Sequence, residues 1–191
     1  MEKFKIDPNT EITPDLLEEI INFNEEERER LTELHDYYRG IHAILNRKDK
    51  ASAVRSNNKI VTNHARYITD INVGYLLGNP IEYQAEDKIN IDPIIEEYRK
   101  QTISDLDHEL DTKRSQFGKI FEYVYYNEDN ELKSKVLDPR NCVMVYDDTI
   151  QNNEMFAVVY TLDMSKKEDD ETRFKRVTVI DDTTISEYAK D

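Results

Sequence analysis

Residues 57–83 read NNKIVTNHARYITDINVGYLLGNPIEY, and we expect the rest of the chain to be organised around this stretch. Its apolar residues recur every three or four positions, which is the spacing of a helix face. They cover more than one face, so we expect the helix to be largely buried. The residues predicted to be critical for folding are Ile68, Ile71, Leu76, Gly78 and Pro80.

The end of this helix is also predicted by sequence. Gly78 can adopt the positive φ that ends many helices, and Pro80 cannot continue a helix. Residues 81–85 (IEYQA) then alternate apolar and polar side chains, as a short strand does. A buried helix that leads directly into a strand predicts an α+β domain.

The flanking segments extend this prediction in both directions. Residues 1–14 are expected to form an N-terminal arm, and residues 15–191 an α+β domain. A helix is predicted over residues 15–38 and ends at Gly40, but its middle, residues 24–30, is wholly polar. That turn is therefore either solvated or a break in the helix. Residues 47–58 have no periodic apolar face and are expected to form a loop.

From Ile120 onward the apolar period changes from 3.6 to 2, which is typical of strands. Two such runs flank residues 127–130 and predict a β-hairpin. Four further short strands are predicted over residues 143–146, 155–162, 173–180 and 184–188. Short connections between consecutive strands favour antiparallel pairing. The predicted fold is therefore α+β, with N-terminal helices, a buried central helix and a C-terminal antiparallel β-meander.

Composition limits the functions open to this chain. Its 191 residues carry a net charge of −15, which argues against wrapping duplex DNA, because that affinity comes mainly from Lys and Arg at phosphates. The lone Cys142 has no partner within the chain for a disulfide, so a reducing, intracellular environment is expected. The sequence shows neither a signal peptide nor a run of membrane-spanning length.

No catalytic or metal-binding constellation stands out. The four histidines are not spaced as metal ligands, and phosphate-binding and nucleophile motifs are missing. The pairs Asp147–Asp148 and Asp181–Asp182 have two interpretations: a two-metal nuclease site or acidic hairpin turns, and we favour turns. Cys142 is expected to be a small buried apolar side chain. We therefore predict no catalytic residues, no metal and no cofactor.

Charge is unevenly distributed in the first third of the chain. Residues 7–36 hold eleven acids and two bases, whereas residues 39–66 hold seven bases and one acid. The basic residues are either a solvated loop or a surface that contacts acidic residues, in this chain or in a neighbouring copy. The candidate subunit-contact surface consists of Arg39, Arg47, Lys48, Lys50, Arg55 and Lys59.

Three short motifs in fixed order carry a family resemblance. They are Tyr38-Arg39-Gly40 followed by His42, Ile44 and Arg47; then NNKIV at residues 57–61; then GYLLGNPI at residues 74–81. In this order the motifs resemble the N-terminal part of tailed-phage portal proteins, of the siphophage type found in phages and prophages of Gram-positive bacteria. The resemblance covers residues 16–180, which correspond to the peripheral wing region of the family.

The resemblance implies a structural, non-enzymatic subunit of a ring at one capsid vertex. Such a ring serves DNA packaging and ejection and joins head to tail. Its implied partners are other copies of itself, capsid, packaging-motor and head–tail adaptor proteins, and translocating DNA that is contacted without sequence specificity, with no membrane involved. The implied location is the virion, and the host cytoplasm during assembly. The stem, clip and tunnel regions are expected to lie outside these 191 residues. The alternatives are an acidic metal-dependent hydrolase or nuclease, or a stand-alone interaction adaptor derived from a portal gene.

Overall fold

The computed structural model describes residues 3–47, 58–86, 89–162 and 174–188. These residues form an α+β protein, as the sequence predicts. Predicted residues that fall at 48–57 or 163–173, including most of the expected basic loop, lie outside the described part of the chain. The elements in chain order are β1 (Phe4–Ile6), α1 (Pro14–Arg39), a short 3-10 helix (Ala43–Asn46), α2 (His64–Leu77), α3 (Asp92–Lys100), α4 (Ile103–Phe117), β2 (Phe121–Tyr126), β3 (Leu132–Leu137), β4 (Cys142–Asp147), β5 (Glu154–Leu162), β6 (Phe174–Ile180) and β7 (Ile185–Tyr188).

The larger sheet has the strand order β1-β4-β5-β6-β7. Strands β4 to β7 pair antiparallel in sequence order, so the predicted meander is confirmed. Strand β1 pairs parallel with β4 at the edge of this sheet, with Phe4 opposite Val145. Strands β2 and β3 form a separate antiparallel hairpin, also as predicted.

The chain divides into two compact units. The first comprises residues 1–30 and 138–191 and contains the five-stranded sheet. The second comprises residues 31–137 and contains α2, α3, α4 and the β2–β3 hairpin. This division differs from the expected arm followed by one domain. Residues 1–14 belong to the first unit, because β1 is hydrogen-bonded to β4 within its sheet.

The core of the first unit forms where α1 packs on the sheet. Leu17, Ile20 and Ile21 are buried, and their spacing of three and four places them on one face of the helix. They pack in one cluster with Val145 and Val158, neither of which is exposed at all. Apolar side chains of this size contribute about 1.5–3 kcal/mol each when they are fully buried. Helix α1 is also continuous through its polar middle, so of the two alternatives for that turn the break does not occur.

In the second unit, α2 confirms the predicted helix but not its predicted buried face. The helix begins at Asn63, whose side-chain oxygen accepts a hydrogen bond from the Arg66 amide. Its buried residues are Thr69 and Val73, on the side that packs against α4.

The prediction that Ile68, Ile71 and Leu76 lie in the core is wrong. Their side chains are exposed by 64%, 53% and 52%. The apolar residues of α2 extend around most of the helix, and the narrow row through Thr69 and Val73 packs inward. Periodicity alone does not select which of two apolar stripes faces the core.

Two predictions about the end of α2 are also wrong. Gly78 has a φ of −59°, which is ordinary right-handed helical geometry. A glycine is needed there for a different reason, because an added Cβ would collide with the carbonyl oxygen of Gly74. Residues 81–85 form no strand and are exposed. An alternating pattern makes a strand only when another strand hydrogen-bonds to it, and the described strands of this unit pair only with each other.

Candidate subunit-contact surface

The described members of the predicted basic surface come from three segments that lie close together in the chain. Arg39 lies in the last turn of α1, Arg47 follows the 3-10 helix, and Lys59 precedes α2. Arg39 and Arg47 are exposed, and Lys59 is half-buried. The remaining predicted members, Lys48, Lys50 and Arg55, lie outside the described residues.

Two hydrogen bonds hold this region together. The Asn63 side-chain amide donates to the Tyr38 carbonyl over 2.9 Å, and the Lys59 ammonium donates to the Leu45 carbonyl over 3.1 Å. Gly40 permits the turn between them by adopting a φ of 81°, which ends α1 as predicted. Residues 38–47 and 58–63 are thereby held side by side on one surface of the second unit.

This surface also carries apolar side chains that the sequence analysis did not single out. Ile41, Leu45 and Ile60 are exposed by 41%, 42% and 74%. Their sequence signal is an apolar residue within two positions of a basic one. We call the group Arg39, Ile41, Leu45, Arg47, Lys59 and Ile60 the basic–apolar surface.

Ion pairs between nearby positions of one helix occur on both α1 and α2. Arg66 pairs with Asp70 over 3.4 Å within α2, and Arg28 pairs with Glu25 over 3.2 Å within α1. The Arg66–Asp70 pair is exposed, and exposed pairs contribute about 0–1 kcal/mol each. Burial, followed by the negative charge of Asp70, raises the pKa of Tyr38.

A second exposed feature is an apolar stripe along α2. Tyr67, Ile68, Ile71 and Tyr75 recur at helical spacing on its outer side, and Tyr75 is 87% exposed. Contiguous exposed apolar surface of this kind marks interaction sites in soluble proteins. We call these four residues the α2 stripe.

A cleft lies beside the end of α2, within the second unit. Two adjoining hollows of about 640 Å³ and 460 Å³ share Ile81 and Asp107 as lining residues. Pro80, predicted to be critical for folding, is exposed and lines the larger hollow. The walls of both hollows come from α2, α3, α4, β2 and the segment 80–84. We call the two together the α4 cleft.

The α4 cleft is acidic as well as apolar. Burial, and then the nearby carboxylate of Glu122, raise the pKa of Asp107. Asp111 forms an ion pair with Arg114, and its second carboxylate oxygen is buried without a hydrogen bond among the described residues. The acidic side chains that line the cleft are Glu82, Asp105, Asp107, Asp111 and Glu122, and the basic ones are Arg99 and Arg114.

The two aspartate pairs lie in hairpin turns. The Asp147 carboxylate accepts hydrogen bonds from Thr149 and Asn153 between β4 and β5. Asp181 accepts from Thr183 and Thr184 between β6 and β7. Bonds from these threonines lower the pKa of Asp181 to about 2, and the Thr149 and Asn153 bonds lower that of Asp147. The carboxylates are thus occupied by backbone and side-chain donors of their own turns.

Two histidines of the second unit, His35 and His42, contact neighbouring side chains. His35 Nδ1 lies 2.6 Å from the Gln116 amide, and its ring stacks on Phe117. The ring of His42 lies 4.8 Å from that of Tyr37. Across the described residues, no group of three His, Cys, Asp or Glu side chains is arranged to hold a metal. None of the described helices combines the length and apolarity needed to cross a bilayer.

A family model described as phage portal protein, SPP1 Gp6-like, matches residues 17–191. The chain belongs to this family. A comparison with curated proteins found no match. The match begins in α1 and includes every later element, so the family region spans both units of this portal-family chain.

The three motifs that carry the resemblance contribute residues to the candidate surfaces. Tyr38-Arg39-Gly40 forms the end of α1, and Lys59 and Ile60 lie beside it. The third motif, at residues 74–81, runs from the last turns of α2 into the wall of the α4 cleft. The cleft itself was missed in the sequence because its walls come from separate elements. Its only local signal is the apolar and acidic side chains on α4.

Proposed function

We propose that this chain is a structural subunit of the portal ring at one vertex of a phage head. The ring is the channel through which DNA is packaged and later ejected, and it joins the head to the tail. The observation that carries this proposal is the family match over residues 17–191. The subunit acts in the virion, and in the host cytoplasm while the head assembles.

The exposed surfaces of the second unit support an assembled role. The α2 stripe leaves large apolar side chains in water, and burying them against another protein removes that cost. A ring closes through heterologous contacts, so each copy needs two different surfaces. The basic–apolar surface can be one of these two surfaces. The acidic residues of α1, or those of the α4 cleft, can be the other.

The partners follow from this role. They are other copies of the chain, capsid, packaging-motor and head–tail adaptor proteins, and DNA in transit. The net charge of −15 suits a protein that DNA passes without adhering, because counterion release drives DNA toward basic surfaces.

The nuclease alternative has no observation in its favour. A two-metal centre needs carboxylates that are open to two ions about 3.5–4 Å apart. Asp147 and Asp181 instead accept several hydrogen bonds from their own turns. We therefore expect no metal-dependent DNA cleavage, and none that is lost on Asp147→Ala or Asp181→Ala.

The test removes the protein from the phage or prophage that encodes it and restores it from a plasmid. Without it, we expect capsids that contain no DNA and carry no tails, since both packaging and tail joining need the ring. A plasmid copy with Asp147→Asn and Asp181→Asn should restore infectious particles as well as the unaltered gene does. Normal yields of filled, tailed particles without the protein would contradict the proposal.

A further inference from the structure

We infer that the α4 cleft of one copy binds the basic–apolar surface of a second copy. Each copy then presents both halves of one heterologous interface. This inference rests on the proposed function as a ring subunit, because it names the surfaces through which neighbouring copies would meet. It assigns to the cleft an occupant from outside the chain.

The apolar and acidic side chains that line the cleft favour binding of an apolar segment that carries positive charge. Leu76 and Ile81 are about half exposed along its wall, at 52% and 50%. Above this apolar wall, five acidic side chains face two basic ones, and one of those bases already pairs with Asp111. Burial, and then repulsion by the Glu122 carboxylate, raise the pKa of Asp107, while nearby His108 offsets part of this rise.

The basic–apolar surface has the complementary character. Exposed Ile41, Leu45 and Ile60 each lie within two positions of Arg39, Arg47 or Lys59 in sequence. Burying the three apolar side chains removes them from water, and the basic residues are then placed to meet the acids of the cleft. The Asn63 and Lys59 hydrogen bonds hold this surface in one piece, which reduces the entropy lost on docking.

A second copy is the occupant that the charges favour. The whole chain is strongly acidic at −15, yet residues 39–66 hold seven bases and one acid. The most basic region of the chain therefore matches its acidic cleft. Because the two surfaces differ, their pairing is heterologous and propagates from copy to copy until a ring closes. Single exposed ion pairs are weak, so several must act together with the apolar contact.

The test uses two charge-reversed versions of the chain and measures association by analytical ultracentrifugation. The surface variant carries Arg39→Glu and Arg47→Glu, and the cleft variant carries Glu82→Lys and Glu122→Lys. All four side chains are exposed, so the fold should survive. We expect concentration-dependent association of the unaltered chain and at least about tenfold weaker association of each variant alone.

Mixing the two variants gives the sharpest outcome. The surface variant retains a native cleft, and the cleft variant retains a native surface, so one native interface forms between them. The two reversed surfaces also carry opposite charges, so the mixture should associate more strongly than either variant alone. The control, Lys5→Glu with Lys135→Glu, makes the same change in charge as the surface variant, at exposed positions outside both surfaces, and should associate like the unaltered chain.

A photo-crosslinking residue at Ile81 provides a second measurement that does not depend on charge. Its crosslinks should map to residues 39–47 or 58–61 of another copy, while the same residue at fully exposed Ile150 should not reach them. Monomers at every concentration, unaffected variants, a mixture that stays monomeric, or crosslinks to other regions would each overturn the inference. If the protein is nevertheless required for filled, tailed particles, the proposed function stands and only this pairing falls.

Discussion

The side-chain amide of Asn24 donates a hydrogen bond to the phenolic oxygen of Tyr160 over 2.9 Å, and both side chains are buried. Tyr160 in turn donates to the Arg140 carbonyl over 3.1 Å, and Asn24 reaches the same carbonyl over 3.2 Å. This triangle joins α1 to β5 and to the turn before β4. Asn24 is the first residue of the polar middle of α1, and these hydrogen bonds satisfy its side chain where it is buried.

We expect Asn24→Ala to lower the free energy of unfolding by about 1–3 kcal/mol, because it removes two hydrogen bonds in a buried region. Burial already raises the pKa of Tyr160, and the Asn24 bond lowers it, so the substitution should raise that pKa further. Denaturant unfolding and ultraviolet titration of the tyrosines measure the two effects. Asn22→Ala, at an exposed position of the same helix, is the control and should change stability by no more than about 0.5 kcal/mol.

Two leucines of the second unit test the burial of Leu76 on α2, with Leu31 on α1 as the buried reference. Leu31 is fully buried and Leu76 is 52% exposed. Leu31→Ala should cost about 2–5 kcal/mol through lost burial and a residual cavity. Leu76→Ala should cost less than about 1 kcal/mol in the isolated chain. Equal losses in thermal or denaturant unfolding would mean that the outer side of α2 is packed after all.

The two glycines near the end of α2 should respond in opposite directions. An added Cβ meets nothing within 4 Å at Gly74, whereas at Gly78 it collides with the Gly74 carbonyl oxygen. Gly74→Ala should stabilise the protein by about 0.5–1 kcal/mol through helix propensity. Gly78→Ala should destabilise it. A stabilising Gly78→Ala in the same unfolding assay would show that the close approach does not exist.

Stability should depend on Asp181 in acid. Its hydrogen bonds lower its pKa from 3.8 to about 2 in the folded state. A depressed folded pKa gives stability that is present above the unfolded value and lost as the pH falls through the folded value. The unfolding free energy should therefore fall between about pH 4 and pH 2.

The variant Asp181→Asn should flatten that acid slope while lowering stability at neutral pH. Asp182→Asn makes the same change in net charge and leaves the hydrogen bonds to Asp181 in place. Chemical denaturation at several pH values compares the two. Identical acid slopes in the unaltered chain and in Asp181→Asn would refute the assignment.

Local patterns were sufficient for most elements of this fold. Helix α1, the β2–β3 hairpin and the β4–β7 meander follow from apolar spacing and turn residues, which act over a few positions. The acidic turns at Asp147 and Asp181 follow from the preference of aspartate for its own backbone. These features depend on residues that are close together in the sequence, so they can be predicted from the sequence.

The wrong predictions concern contacts between distant elements. Ile68, Ile71 and Leu76 fit a buried stripe as well as Thr69 and Val73 do, and only the position of α4 decides between them. Residues 81–85 alternate like a strand without a strand to pair with. The α4 cleft combines side chains from several elements, and no single segment indicates it.

The most direct measurement of the central claim is the position and copy number of this protein in the virion of the phage that encodes it. A cryo-electron microscopy reconstruction without imposed symmetry, combined with quantitative mass spectrometry, gives both. The account predicts a fixed small number of copies, arranged as one ring where the head meets the tail. Virions that lack the protein, or that carry it at every vertex, would contradict it.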